Sequence, residues 1–228
     1  MPHALITGAN RGIGLEHVRQ LLSRDWIITA AVRDPEAAKD LKALDPGDGR
    51  LRIERYDASK LEDAAGLAKR VSGPIDILFA NAGMMPGDQA FGGAANEDFM
   101  QAMRINALAP LALAEAFAGQ VAQSQMKVIA LQSSRMGSIA DNDSGGRYGY
   151  RASKAALNAV GKSLSVDLKA QGIIVLILHP GWVRTDMGGP NGLLTITECV
   201  DGELDLIARA NPAMSGRFFH VSGEDLPW

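Results

Sequence analysis

Short apolar runs rich in Val, Ile and Leu recur along the chain at residues 3–7, 26–32, 51–55, 75–80, 126–132, 173–179 and 216–221. Longer segments of helical period lie between and after them, at 12–24, 36–44, 60–71, 96–122, 148–170 and 197–210. A strand-length run followed by a helix, repeated, is the signature of βαβ units around a parallel sheet. The pattern predicts an α/β chain, with one doubly wound parallel sheet of about seven strands and helices on both faces. No internal repeat and no linker interrupts it, so residues 1–228 are expected to form a single domain. The helices at 96–122 and 148–170 carry Ala and Leu on more than one face, including Ala107, Leu111, Ala114 and Ala118 in one and Ala155, Leu157 and Val160 in the other. Either a homodimer or homotetramer buries the extra faces, or the helices are sandwiched between sheet and loops. Glycine-rich stretches at 83–93 and 137–149 follow the fourth and fifth strands, at the carboxyl ends that surround the ligand crevice of an open parallel sheet.

Composition narrows the class. The 228 residues are 46% hydrophobic with 25 glycines, which is enough to bury a substantial core and suits tightly turned α/β packing. A formal net charge of -3 gives no general attraction to nucleic acid or to an anionic membrane, so any basic function must be local. Cys199 is the single cysteine and cannot form an internal disulfide, and the amino terminus reads as a strand rather than a leader. No run approaches the roughly 20 uninterrupted apolar residues of a membrane span. A cytoplasmic protein without membrane or nucleic-acid partners is expected.

Directly after the first strand stands Thr7-Gly8-Ala9-Asn10-Arg11-Gly12-Ile13-Gly14, with a helix opening at about Gly12. Strand, glycine turn and helix in this order let backbone approach a pyrophosphate at the positive end of a helix. The spacing is G-x-x-x-G-x-G rather than G-x-G-x-x-G. NAD sites of this architecture end the second strand with an acidic residue that holds the ribose hydroxyls. Here Val32 and Arg33 occupy that place, and the Arg33 guanidinium suits a 2'-phosphate. Arg11 is placed to approach the same phosphate from the other side, and Asp34 falls past the strand end. The expected cofactor is therefore NADP rather than NAD.

Further motifs follow in order: NAG at 81–83, Asn106, SSRMG at 133–137, YRASK at 150–154 and PGWVRTDM at 180–187. With TGANRGIG at 7–14, the set resembles the short-chain dehydrogenase/reductase family throughout the chain. GSIADN, YRASKAALN, HPGWVRTDMGG and the ending SGRFFHVSGEDLPW are similar to the sniffer-type carbonyl reductases and the C-factor cell-signalling proteins. The resemblance implies a Rossmann-like fold and hydride transfer from a nicotinamide.

Tyr150 and Lys154 lie four apart in a helical segment and share one face. A neighbouring ammonium favours tyrosinate, so the phenol is expected to titrate below its usual value of about 10 and to act as the proton donor. Tyr148, the competing phenol, has only Ala152 at the same spacing. The resemblance adds Ser134 as the hydroxyl that polarises the carbonyl, and Asn106 as the holder of a water leading to Lys154. It also implies that Asn81, Ala82 and Gly83 line the adenine-ribose side, that Asp57 contacts adenine, and that Pro180, Gly181, Val183 and Thr185 fix the carboxamide. Tyr150 and Lys154 count among the cofactor contacts as well. His179 is expected to pack at a strand end. The 16 residues from Ser134 to Tyr150 exceed the family pattern by a few, and DNDSGG at 141–146 absorbs them as an extended loop that bears on pocket shape.

Other chemistries find no support. Gly161-Lys162-Ser163 lies inside a helix without the earlier glycine of a P-loop. No G-x-S-x-G elbow exists, and the sequon at Asn142 has no meaning in a cytoplasmic protein. His3, His17, His179 and His220 lack ligand spacing, so no metal site is expected. Near the carbonyl, Met84, Met85, Met136, Trp182 and Met187 suggest an adaptable apolar lining for a hydrophobic aldehyde, ketone or quinone, with no charged anchor evident. The glycine-rich lid between Gly188 and Thr197 is short and suggests an open pocket. Two function classes remain: an NADPH-dependent carbonyl reductase, and a signalling or regulatory protein that binds the dinucleotide without turnover. Retention of Asn106, Ser134, Tyr150 and Lys154 together speaks for turnover.

Overall fold

A computed structural model describes residues 1–87, 90–93 and 96–228. Seven strands, β1 (His3–Thr7), β2 (Ile27–Val32), β3 (Leu51–Arg55), β4 (Ile77–Ala80), β5 (Val128–Gln132), β6 (Ile174–His179) and β7 (Arg217–His220), form one sheet in the order β3-β2-β1-β4-β5-β6-β7. Every neighbouring pair is parallel. The helices are α1 (Gly12–Leu22), α2 (Lys39–Lys42), α3 (Asp63–Arg70), α4 (Asn96–Met103), α5 (Ala109–Ala122), α6 (Tyr148–Asp167) and α7 (Ile196–Ala208). The strand order reverses between β1 and β4, where a doubly wound sheet opens a crevice at its carboxyl edge.

The strands are apolar on both faces because both are covered. Ala4, Ile6, Val128, Ala130, Leu176 and Leu178 pack on one side with Val18 and Leu21 of α1 and with Val200, Leu204 and Ile207 of α7. Leu5, Ile129, Leu131, Val175 and Ile177 pack on the other with Leu67 of α3, Leu113 and Phe117 of α5, and Leu157 of α6. This is the Rossmann-like fold expected from the sequence pattern.

Where elements fall short of their expected bounds, local polar chemistry ends them. Asp76 accepts the amide of His3 at 2.9 Å and the Ile75 amide goes to the Gln120 carbonyl, so the ladder of β4 starts only at Ile77. Asp34 accepts the amides of Glu36 and Ala37, which with Pro35 delays α2 to Lys39. The start of α7 instead precedes its expected bound by one residue: the Thr195 hydroxyl accepts the Glu198 amide while the Glu198 carboxylate accepts the Thr195 amide, a capping box that starts the helix at Ile196. The expected helix at 96–122 is two α-helices joined by a π turn, Arg104–Leu108. By length and composition this run could cross a bilayer. Instead, α4 packs on α6, α5 packs on α3 and β4, and the π turn buries Asn106.

Candidate functional site

A cleft of about 1330 Å³ runs along the carboxyl edge of the sheet. Gly8, Asn10, Arg11, Gly12, Ile13, Arg33, Asp57, Asn81, Ala82, Gly83, Tyr150, Lys154, Pro180 and Thr185 line it, together with Gln132. The remaining expected residues stand behind its wall. Thr7 is buried, and its Oγ1 accepts the amides of Asn81 at 3.1 Å and Ala82 at 3.0 Å. Asn81 in turn donates from Nδ2 to the Thr7 carbonyl at 2.9 Å, so the glycine loop and the NAG turn are one locked unit. A Cβ on Gly14 would stand 2.5 Å from the Gly8 carbonyl oxygen, so only glycine lets α1 seat this close to β1. Gly181 adopts a positive φ against Leu194, and buried Val183 bridges the same residue.

No side chain caps the N-terminus of α1, and its first turn carries no acidic residue. Open amides at the positive end of a helix, facing a dinucleotide-sized cleft, fit a pyrophosphate. At the far end Arg33 follows β2 directly, and its charge is among the causes that hold the Asp57 carboxyl below its usual range, with the hydrogen bonds from Ser59 opposing burial. Asp34 also borders the cleft, but its Oδ1 is engaged by the two amides noted above. Arg11 lines the same cleft, and its Nη1 reaches across to Asp186 at 2.8 Å. Both partners are solvent-exposed, so the pair is weak and free to rearrange.

Tyr150, in the first turn of α6, is buried, and the Ser134 hydroxyl is among the groups that act on its phenol. Ser134 leaves the end of β5 and accepts the Met136 amide at 3.2 Å. The turn presses on α6 because Gly137 has no side chain; a Cβ there would lie 2.8 Å from the Lys154 backbone. The Lys154 ammonium sits 5.8 Å from the centroid of the Tyr150 ring and donates to the Gln132 carbonyl at 2.6 Å. Asn106 exchanges two hydrogen bonds of 2.8 Å with the Met84 backbone and donates to Ser153 of α6 at 2.9 Å. Ser133, the neighbour of Ser134, donates instead to Asn158.

Burial reverses the expected tuning of the phenol. It pushes Tyr150 above the usual phenol value, opposed by the hydrogen bond with Ser134 and the charge of Arg147. Lys154 is itself pushed down to about 8 by burial, so its ammonium is the group brought near neutrality. A phenol that keeps its proton at working pH is equipped to donate one to a substrate. His179 packs beside His220 and is held neutral by burial, down to about 3.

Comparison with known proteins decides the family: the model described as short chain dehydrogenase matches residues 2–192. The chain belongs to the short-chain dehydrogenase family. C-signal of Myxococcus xanthus is 44% identical over 157 residues, covering 69% of this chain and 95% of that protein. Among solved structures, the carbonyl reductase Sniffer of D. melanogaster superposes with a TM-score of 0.95 at 32% identity, covering 100% of both chains. The NADPH-bound carbonyl reductase from chicken fatty liver superposes at 0.93 with 30% identity, covering 100% of this chain and 99% of the other.

This short-chain dehydrogenase also places residues at its site that the sequence motifs do not reveal. Gln132 uses its backbone carbonyl for Lys154 on one face of the sheet and its side chain on the other, donating to Glu203 of α7 at 2.7 Å. Glu203 lies 2.7 Å from His17 of α1, and both are fully buried. The readable signal was a carboxylate four residues from Cys199 in the apolar stripe of α7, and a histidine beside Val18 in that of α1. A second cavity, of about 510 Å³, lies between Met136, the Ser144–Gly146 loop, Arg147 and Arg151, the two arginines flanking Tyr150 in the chain. Two cations that belong to none of the sequence motifs singled out above therefore border this cavity. Of the expected apolar lining, Met84 and Met187 border the dinucleotide cleft, Met136 the second cavity, and Trp182 is half-exposed with its indole N–H on the Gly188 carbonyl.

Proposed function

We propose that this short-chain dehydrogenase is an NADPH-dependent carbonyl reductase that converts an aldehyde, ketone or quinone to an alcohol. The observation that carries the reading is the Ser134–Tyr150–Lys154 group at the mouth of a cleft whose helix N-terminus is uncapped. Bound NADPH supplies the hydride. Tyr150 donates the proton to the carbonyl oxygen, and the Ser134 hydroxyl orients that oxygen by a second hydrogen bond. Lys154, fixed on the Gln132 carbonyl, keeps a positive charge beside the phenol as its proton leaves. Asn106 holds the wall of the site through Met84 and Ser153 and lies on the proton route to Lys154. The first turn of α1 would hold the pyrophosphate, and Arg33, joined by a released Arg11, the 2'-phosphate. Asn81, Ala82, Gly83 and Asp57 would hold the adenosine half, and Pro180, Gly181, Val183 and Thr185 the carboxamide end. Exposed Leu108 of the π turn and Val166 of α6 support a homodimer or homotetramer, and a cytoplasmic location accords with this chemistry.

Oxidation of NADPH and NADH, followed by absorbance against a panel of aldehydes, ketones and quinones, tests the reading in wild type and Tyr150→Phe. Turnover with NADPH that vanishes in the variant is expected. Dinucleotide binding without turnover of any panel member would favour the second reading, a regulatory dinucleotide-binding protein, which the identity with C-signal supports.

A further inference from the structure

The second cavity is bordered by two cations that the cofactor does not need, since neither Arg147 nor Arg151 lines the dinucleotide cleft. They stand three residues before and one residue after Tyr150. Arg147 has φ 52°, the third of three successive left-handed residues after Gly145 and Gly146. A side chain in that conformation is strained and persists where its surroundings hold it, which happens most often at functional sites. Arg147 donates from Nη1 to the Met85 thioether at 2.8 Å. A thioether is a weak acceptor, so this guanidinium keeps most of its donor capacity. Arg151 is braced, donating to the Gly145 carbonyl at 3.2 Å and to the Ser144 hydroxyl at 2.8 Å, with its remaining N–H groups uncommitted. Among the described residues neither has an ion pair, a state they share with Arg33, Arg52, Arg104 and Arg184 while nine other arginines are paired, so both charges are open to a ligand.

We propose that Arg147 and Arg151 form an anion-recognition site, and that the physiological carbonyl substrate carries a carboxylate away from its reacting group. The inference rests on the reductase reading and names its substrate class. A planar guanidinium matches a carboxylate with two parallel hydrogen bonds, and a second cation at the same cavity adds attraction without new geometry. Met136, which also lines the cavity, takes the apolar body of the substrate, and the Tyr150 phenol feels the charge of Arg147, so a carboxylate bound by the pair leaves a carbonyl within reach of the phenol.

The test compares 4-carboxybenzaldehyde with its neutral methyl ester, methyl 4-formylbenzoate, under saturating NADPH. For each enzyme the ratio of kcat/KM, charged over neutral, is read in wild type, Arg147→Gln, Arg151→Gln and Arg147→Glu. Wild type is expected to favour the carboxylate, the glutamine variants to lower the ratio about tenfold or more, and Arg147→Glu to invert it. A ratio that stays within twofold across all four overturns the anion site even if both aldehydes are reduced. If wild type reduces neither aldehyde, the reductase reading is judged by the wider panel of aldehydes, ketones and quinones, and the anion site separately by calorimetric binding of 4-carboxybenzyl alcohol with NADP present. Binding that weakens tenfold in the glutamine variants sustains it, and binding that is absent or unchanged rejects it.

Discussion

The two ends of the crevice are built by opposite means. The dinucleotide end is made of strand ends and backbone: Thr7 and Asn81 tie two loops together, and an added Cβ at Gly14 would meet backbone at 2.5 Å. The substrate end is made of loops with room to spare, and Cβ atoms at Gly145 and Gly146 would meet nothing within 4 Å. One end is committed to a single shape, as binding a fixed cofactor demands. The other tolerates change, and specificity there rests on a few long side chains such as Arg147 and Arg151.

The sharpest way to break this contrast is to put the same small change into each end. Gly14→Ala should cost about 3 kcal/mol of stability, since backbone must move to relieve the contact, and should abolish NADPH binding. Denaturant titration and fluorescence binding measure both. Next in size, Arg33→Ser should weaken NADPH binding about 10- to 100-fold while leaving NADH unchanged; equal loss of both would remove the 2'-phosphate from the account. The Lys154 ammonium, held at about 8, makes reduction pH-dependent in the free enzyme. Activity should be level below that pH and fall about tenfold per unit above it, as the ammonium loses its proton, so a kcat/KM profile flat to pH 10 contradicts this role. Stability runs the other way: the unfolded lysine keeps its proton up to its ordinary 10.5, so this group's burial penalty fades as pH rises from about 8 toward that value. The smallest effect belongs to the loose end, where Gly146→Ala should cost roughly 1 kcal/mol for its left-handed backbone and leave NADPH affinity intact.

The same contrast explains what could be read from the residues alone. Sheet, helices and the dinucleotide end were legible because they depend on period and on glycines at fixed spacing, such as Gly8, Gly12 and Gly14. Tyr150 and Lys154 were legible through their spacing, but the direction of tuning was not, since burial outweighs the neighbouring charge only once the fold encloses both. The π turn at Asn106 left no mark in the apolar pattern. The pairing of Arg11 with Asp186 could not be read, because the two stand 175 positions apart. Arg147 and Arg151 look like any charges at the start of an exposed helix until the 141–147 loop folds beside them.

Glu203 lies outside residues 2–192, the part of the chain that the family model matches, yet it holds Gln132, whose carbonyl fixes Lys154. The tail is therefore not an interchangeable appendage. A chimaera that kept every motif and grafted a relative's sequence after residue 192 would set His17 and Gln132 against whatever side chain replaced that carboxylate. A graft lacking an acid there would inherit two stranded polar groups in the interior and a lysine anchored to a loosened strand end.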